Sequence, residues 1–341
     1  MKKSLMALAC ASAFAASANA QSTLTTYGIV DMGFVAESGG PLGSLDKITS
    51  GAQSGTRLGF KGSEDLGNNM KALFVLETGL IADQGGFGYT PGSDRAFARQ
   101  SFVGVQSDFG TLTLGRQYTP FFLALNGVAD PFASGLAGNA QNLIPHSGIR
   151  MSNAVKYATP NFSGISGELA YGFGESAGND RVGRNVGGSI GYSDGPLNIR
   201  LAYHRGNDPV AASALHDSST MLAANYNFQV AKVFAAYSDN DQQNTATGLG
   251  RSRDFLLGVT VPIGKHNFIA SYINKDGRSA SNLDASQFGL GYTYALSKRT
   301  NLYAAWATID NKRGTLIYRV GNNSELGSGD KAFNLGVRHT F

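Results

Sequence analysis

Cysteine is almost absent: the one thiol in 341 residues is Cys10, inside a stretch read below as a leader. The rest of the chain therefore has no disulfide framework and no thiolate metal site. Histidine is scarce too, and His146, His204, His216, His266 and His339 show neither i,i+4 pairing nor an acidic partner of zinc-site type. Neither sign of charge dominates. Lys+Arg number 28 against 24 Asp+Glu, a formal +4 that drops to +2 once Lys2 and Lys3 leave with the leader, so the balance points to no nucleic-acid partner. Beyond the leader, no apolar run reaches the roughly 20 residues that a spanning helix needs. Gly172-Phe173-Gly174, Gly248-Leu249-Gly250 and Gly289-Leu290-Gly291 each lack the third glycine of a dinucleotide fingerprint, and Lys265 follows no phosphate-loop spacing. No cofactor and no enzyme chemistry is expected.

What the chain does have is 45 Gly, 20 Phe and 14 Tyr, with 42% hydrophobic and only 15% charged residues. Lys2-Lys3, the apolar Leu5 to Ala16 and the small-residue Ala18-Asn19-Ala20 form a secretory signal over residues 1–20. The mature chain then begins at Gln21. No Pro-, Ser- or Gly-rich linker divides residues 21–341, which read as one domain despite their length.

From Gln21 onward the period is two. Leu24, Thr26, Gly28, Val30, Met32 and Phe34 share one face, with Tyr27, Ile29 and Asp31 opposite. The alternation recurs in Leu197 to His204, Phe255 to Val261 and Gln287 to Tyr294, where aromatic and aliphatic residues face charge, amide or glycine. The chain is nearly all β. Its connections alternate as well. Seven short turns, such as Ser107 to Gly110 and Pro262 to Lys265, interleave with eight longer polar connections. Fifteen connections join sixteen strands. Short turns at one end and long loops at the other, with an even strand number, are the pattern of an outer-membrane barrel. Hydrocarbon tolerates no sheet edge, so only a closed barrel crosses it in β form.

One stretch breaks the period. Tyr118 to Gly148 has no alternation and few charges, yet Phe121-Phe122-Leu123, Val128, Phe132 and Leu143-Ile144 are too apolar for a disordered segment. It reads as one long loop buried inside the barrel.

The leader, Tyr27-Gly28-Ile29-Val30-Asp31, Arg57-Leu58-Gly59-Phe60-Lys61-Gly62, Phe102-Val103-Gly104 with Phe109-Gly110, Leu114-Gly115-Arg116 and the terminal Phe341 together resemble the general trimeric porins of Gram-negative bacteria, in their β-proteobacterial branch. The resemblance covers essentially the whole mature chain. It implies a 16-stranded antiparallel transmembrane β-barrel, a homotrimer among outer-membrane lipids, and a third external loop folded into the lumen. It also implies that the last strand, ending on Phe341, is the signal read by the barrel assembly machinery.

Five residues are expected at the constriction. Arg57 and Lys61 face inward because Leu58 and Phe60 face lipid; Arg150 shares the parity of Ser152, Ala154 and Lys156. Strict alternation from Leu112 and Leu114 would turn Arg116 toward lipid, where a charge at mid-depth costs about 2–4 kcal/mol. A bulge at Gly115, or the end of the strand there, is therefore expected, and the resemblance groups Arg116 with Arg57 and Arg150 on the pore wall. The long loop carries a single carboxylate, Asp130, where relatives carry several, which predicts a positive constriction and a passive channel preferring small anions. Asp31, Glu77 and the loops could offset that charge. A substrate-specific channel would need an aromatic ladder, traceable only at Tyr27 and Tyr118; an adhesin-like surface barrel would work through its loops. A hydrolytic barrel would need a Ser/His pair on the outer face, and only His339 is so placed.

Overall fold

The computed structural model describes residues 22–87, 95–145, 148–210, 215–243, 250–279, 282–312 and 316–341. The leader, Gln21 and His146 lie outside them. Sixteen staves close into one antiparallel barrel. They are β1 (Thr23–Gly40); β2, in two arms (Gly43–Ser50 and Arg57–Gly67); β3 (Met70–Ile81); β4 (Gln100–Ser107); β5 (Gly110–Tyr118); β6 (Arg150–Ala158); β7 (Ile165–Gly172); β8 (Asn185–Asp194); β9 (Leu197–Asn207); β10 (His216–Asn227); β11 (Lys232–Gln242); β12 (Gly250–Ile263); β13 (His266–Gly277); β14 (Ala285–Ala295); β15 (Thr300–Asn311); and β16 (Lys331–Thr340). Closure comes from β16 pairing with β1, in register from Ile29 with Thr340 to Ser38 with Lys331. A two-residue ladder, Gly86–Phe87, folds back on Leu80 and Ile81.

Side-chain burial is inverted relative to a water-soluble sandwich. Along β11 and β12, Tyr237, Phe255 and Leu257 are exposed, while Ser238, Asn240, Ser252 and Asp254 are buried. The outward face is apolar because lipid is its solvent, and polar residues turn toward one another inside.

Two details depart from simple alternation. The first of the eight longer connections, Glu37 to Gln53, is mostly strand: β1 runs to Gly40 and the chain turns at Pro41 and Leu42 to return as the first arm of β2. Its Gly/Ser-rich sequence hid that pairing. The second arm pairs with the other half of β1, Tyr27 opposite Gly59. Between the arms, residues 51–56 leave the ladder, held by Asp31, whose carboxylate accepts from the Gln53 and Ser54 amides at 2.8 and 2.6 Å and from the Tyr303 hydroxyl at 2.7 Å.

The long connection after β5 is not without structure. Thr119 caps a short helix α1 (Pro120–Ala124), its hydroxyl accepting from the Phe122 amide at 3.1 Å with Pro120 at the first helical position. A π-turn (Leu125–Ala129) and a 3₁₀ turn (Ala140–Asn142) follow. The Thr119-Pro120 pair is a helix-start signal legible in the sequence; five residues are too few to show a period of 3.6.

This segment lies against inward-facing wall residues. Asn225 of β10 donates to the Val128 carbonyl at 2.9 Å, Gln287 of β14 to those of Gly138 and Asn139 at 3.0 and 3.1 Å, and Lys275 of β13 to that of Leu143 at 2.8 Å. Gly289 and Gly291, the strand glycines noted in the sequence, turn out to be sockets: a Cβ on Gly291 would stand 2.6 Å from the Phe132 ring, and one on Gly289 2.7 Å from Gly138. Phe121, Leu125, Leu136, Leu143 and Ile144 are buried in the resulting core.

Candidate pore constriction

Arg57, Arg99 and Arg150 line one cavity of about 240 Å³, together with Tyr118, Leu123 and Asn323. Each arginine reaches it by a different route. Arg57 begins the second arm of β2, and its Nε donates to the Gly55 carbonyl at 2.9 Å, inside the excursion that Asp31 holds. Arg99 directly precedes β4; its Nε meets Glu77 Oε1 of β3 at 2.8 Å, with both side chains only 3% exposed. Arg150 opens β6 opposite Tyr118, the last residue of β5.

Tyr118 joins two of them. Its hydroxyl oxygen accepts from Arg99 Nη2 at 2.7 Å and from Arg150 Nη2 at 2.9 Å. The Arg150 guanidinium lies 4.5 Å from the centre of the same ring, whose other ring neighbour is Phe122, stacked at 5.4 Å. Among the described residues, Glu77 is the carboxylate that meets this group, and it also accepts from the Tyr27 hydroxyl at 3.0 Å.

The five residues singled out in the sequence separate. Arg57 and Arg150 share the cavity. Lys61 stands farther along β2, its ammonium 5.4 Å from the Tyr27 ring centre. Arg116 follows Gly115, whose φ is +131°, and the ladder with β6 slips between Gly115 and Gln117; the extra residue lies on β6, where Ser152 and Asn153 together face Arg116, and not at Gly115 as expected. A Cβ on Gly115 would sit 2.2 Å from the Ser101 carbonyl, so no other residue fits. Arg116 then spans to the Ala98 carbonyl (Nε, 2.6 Å) and the Ser152 hydroxyl (Nη1, 2.8 Å). It braces the residue next to Arg99 and does not line the cavity. The alternation expected through Ser152 is interrupted: Met151 and Ala154 are both buried, with Asn153 left-handed (φ +53°) between them.

Asp130 faces its own loop. Buried, it accepts from the amides of Phe132, Ser134 and Ala140 at 2.8 to 2.9 Å. Burial pushes its carboxyl up to about 6 against the pull of those three donors. The turn it closes holds Ala133, Ser134 and Leu136 at φ of +48° to +59°, conformations that survive only when the surroundings over-determine them. Asn323 of the last loop adds to that hold, donating to the Ser134 carbonyl at 2.7 Å while accepting from the Gly55 amide at 2.7 Å.

Arg99 was missed in the sequence because it stands in a connection, outside any strand parity. Its one signal was position, immediately before the alternation of β4. On the outer face, His339 meets Thr300 at 2.9 Å.

A protein-family model described as Gram-negative porin matches residues 7–314. The outer membrane porin protein 32 of Delftia acidovorans is 32% identical over 361 aligned positions spanning the whole of both chains, and an outer membrane porin protein of Bordetella pertussis is 30% identical, again over the whole of both. Among solved structures, the anion-selective porin from Comamonas acidovorans superposes with a TM-score of 0.82 at 30% identity, covering 94% of this chain and 100% of that one. A trimer form of Vibrio cholerae OmpT shares the fold at 16% identity, with a TM-score of 0.68. A closed sixteen-stave barrel, matched along most of its length by that family model, establishes that the chain belongs to the Gram-negative porins.

Proposed function

We propose that this chain forms a passive, anion-preferring diffusion channel for small hydrophilic solutes in the outer membrane. One observation carries the preference: three guanidiniums and a single described carboxylate, Glu77, meet at the cavity beside the long loop, while the loop's only carboxylate, Asp130, turns away into its own amides. A sixteen-stranded barrel is wide enough for water, so wall charge and loop position set what passes. At about 4 Å each arginine is worth about 1 kcal/mol to an anion in water-like surroundings. That magnitude gives several-fold selectivity without tight binding. The Comamonas neighbour is itself an anion-selective porin, which supports the same sign.

The reading includes removal of residues 1–20, assembly as a homotrimer among outer-membrane lipids, and recognition of Phe341 by the barrel assembly machinery. The test is the reversal potential of the reconstituted protein under a salt gradient. Wild type should favour the anion, and Arg99→Ala or Arg150→Ala should each lower the anion-to-cation permeability ratio by several-fold. Equal permeabilities in wild type would defeat the proposal.

A further inference from the structure

The seam where the barrel closes is bridged from inside. Tyr303 of β15, Gly336 of β16 and Gly33 of β1 are register partners in one row across three strands. A Cβ on Gly336 or on Gly33 would overlap the Tyr303 hydroxyl, so two strands give up a side chain to let one ring cross. Neighbouring strands are about 4.8 Å apart, and a ring laid over one strand delivers its hydroxyl to the next. There it meets Asp31, two residues from Gly33 on the same face, and donates to Oδ1 at 2.7 Å. Tyr303 is 1% exposed and Asp31 is fully buried.

Residues 51–56 are wound around Asp31. Its Oδ2 accepts from the Gln53 and Ser54 amides, and its carbonyl accepts from the Gly51 amide at 2.8 Å and the Thr56 hydroxyl at 3.0 Å. The Gly55 carbonyl that this winding presents accepts from Arg57 Nε. The last two strands add side-chain ties to the same segment: Asn301 Nδ2 donates to Gln53 Oε1 at 2.9 Å, and Arg338 Nη1 to Ser54 Oγ at 3.0 Å. A segment near the start of the chain is thus placed by strands at its end.

We infer that Tyr303 is a positioning residue for the constriction: held across the seam, it fixes Asp31 and, through Asp31, the backbone on which Arg57 rests. The inference rests on the reading of Arg57 as a pore-lining cation, while Tyr303 itself stands outside that cavity. The two carboxylate oxygens divide their donors. Oδ2 serves the amides and Oδ1 the hydroxyl, so removing the hydroxyl leaves a buried anion short of a donor and able to turn. A ring needed only for packing would serve equally well as phenylalanine.

The experiment is planar-bilayer recording of the full-length, detergent-purified protein, with the heat-induced shift in gel mobility reporting that each variant is folded. Tyr303→Phe keeps the ring in its socket. A guanidinium that recedes from about 4 to about 6 Å loses about a third of its pull on an anion, so this variant should lower the anion-to-cation permeability ratio about twofold and raise open-channel noise. On an Arg57→Ala background the same change should leave the ratio where Arg57→Ala put it, because coupled residues are not additive. Gly336→Ala, which keeps the hydroxyl but fills its path, should reproduce the Tyr303→Phe currents. With an anion-preferring wild type, an unchanged ratio in Tyr303→Phe, or a further fall on the Arg57→Ala background, would overturn the inference. Equal anion and cation permeability in wild type would defeat the proposed function instead; the brace is then read from noise, and Tyr303→Phe noise equal to wild type overturns it.

Discussion

Two guanidiniums held within reach of one hydroxyl oxygen would repel unless something neutral fixed them, and Tyr118 fills that role. Its oxygen accepts from Arg99 and Arg150, while its ring carries Arg150 on one face and meets Phe122 in a stack. Tyr118→Phe keeps the stacking and removes the shared acceptor. The expected outcome is a smaller anion-to-cation ratio in reversal-potential measurements with all three arginines still present. Arg116→Ala should lower the ratio less than Arg99→Ala, since Arg116 stands outside the cavity lining, held by the Ala98 carbonyl and the Ser152 hydroxyl. At this scale the sequence was partly legible. Arg57 was readable because Leu58 and Phe60 flank it on the lipid face. Arg99 was not, because its position is set by Glu77 and Tyr118, far along the chain.

The element that matters most is the loop from Thr119 to Gly148, and a buried ion pair fastens its far end. Lys275 Nζ, 1% exposed, lies 2.9 Å from Asp254 Oδ2 and donates to both the Ser252 hydroxyl and the Leu143 carbonyl. Removing one member of a buried pair costs about 3–5 kcal/mol, whereas replacing both with apolar residues is often neutral. Lys275→Met should therefore loosen the loop, seen as increased open-channel current noise. Asp254→Leu combined with Lys275→Met should recover quiet conductance in part, although the Leu143 carbonyl still lacks its donor. Noise equal to wild type in the single variant would show that the loop does not depend on this anchor. That the segment is a buried loop followed from Phe121, Phe122 and Ile144 in a stretch without alternation. Its helical turns and its sockets at Gly289 and Gly291 did not, because they arise from packing against a wall distant in sequence.

For the whole molecule, the preference rests on a field across water and therefore depends on salt. The screening length falls from about 10 Å at 0.1 M to about 3 Å at 1 M. The permeability ratio should move toward unity over that range, while single-channel conductance rises. A ratio independent of salt would point to direct, desolvated contact of the anion with the arginines in place of a screened field.

The sequence by itself determined the barrel: a period of two, seven short turns against eight long connections, and a C-terminal strand ending on Phe341 all act locally, through the alternation of side chains across a pleat. It determined as well that the ladder must break near Arg116, because a charge cannot face lipid at mid-depth. Which arginines meet was decided only in three dimensions. The bulge opposite Arg116, whose extra residue lies on β6 between Met151 and Ala154, shifts parity there by one residue, and the Asp31 clamp carries the excursion next to Arg57 out of the ladder. Closure of the barrel then brings β2, β3, β5 and β6 around one loop, so that residues with no common pattern in the chain share a single oxygen on Tyr118.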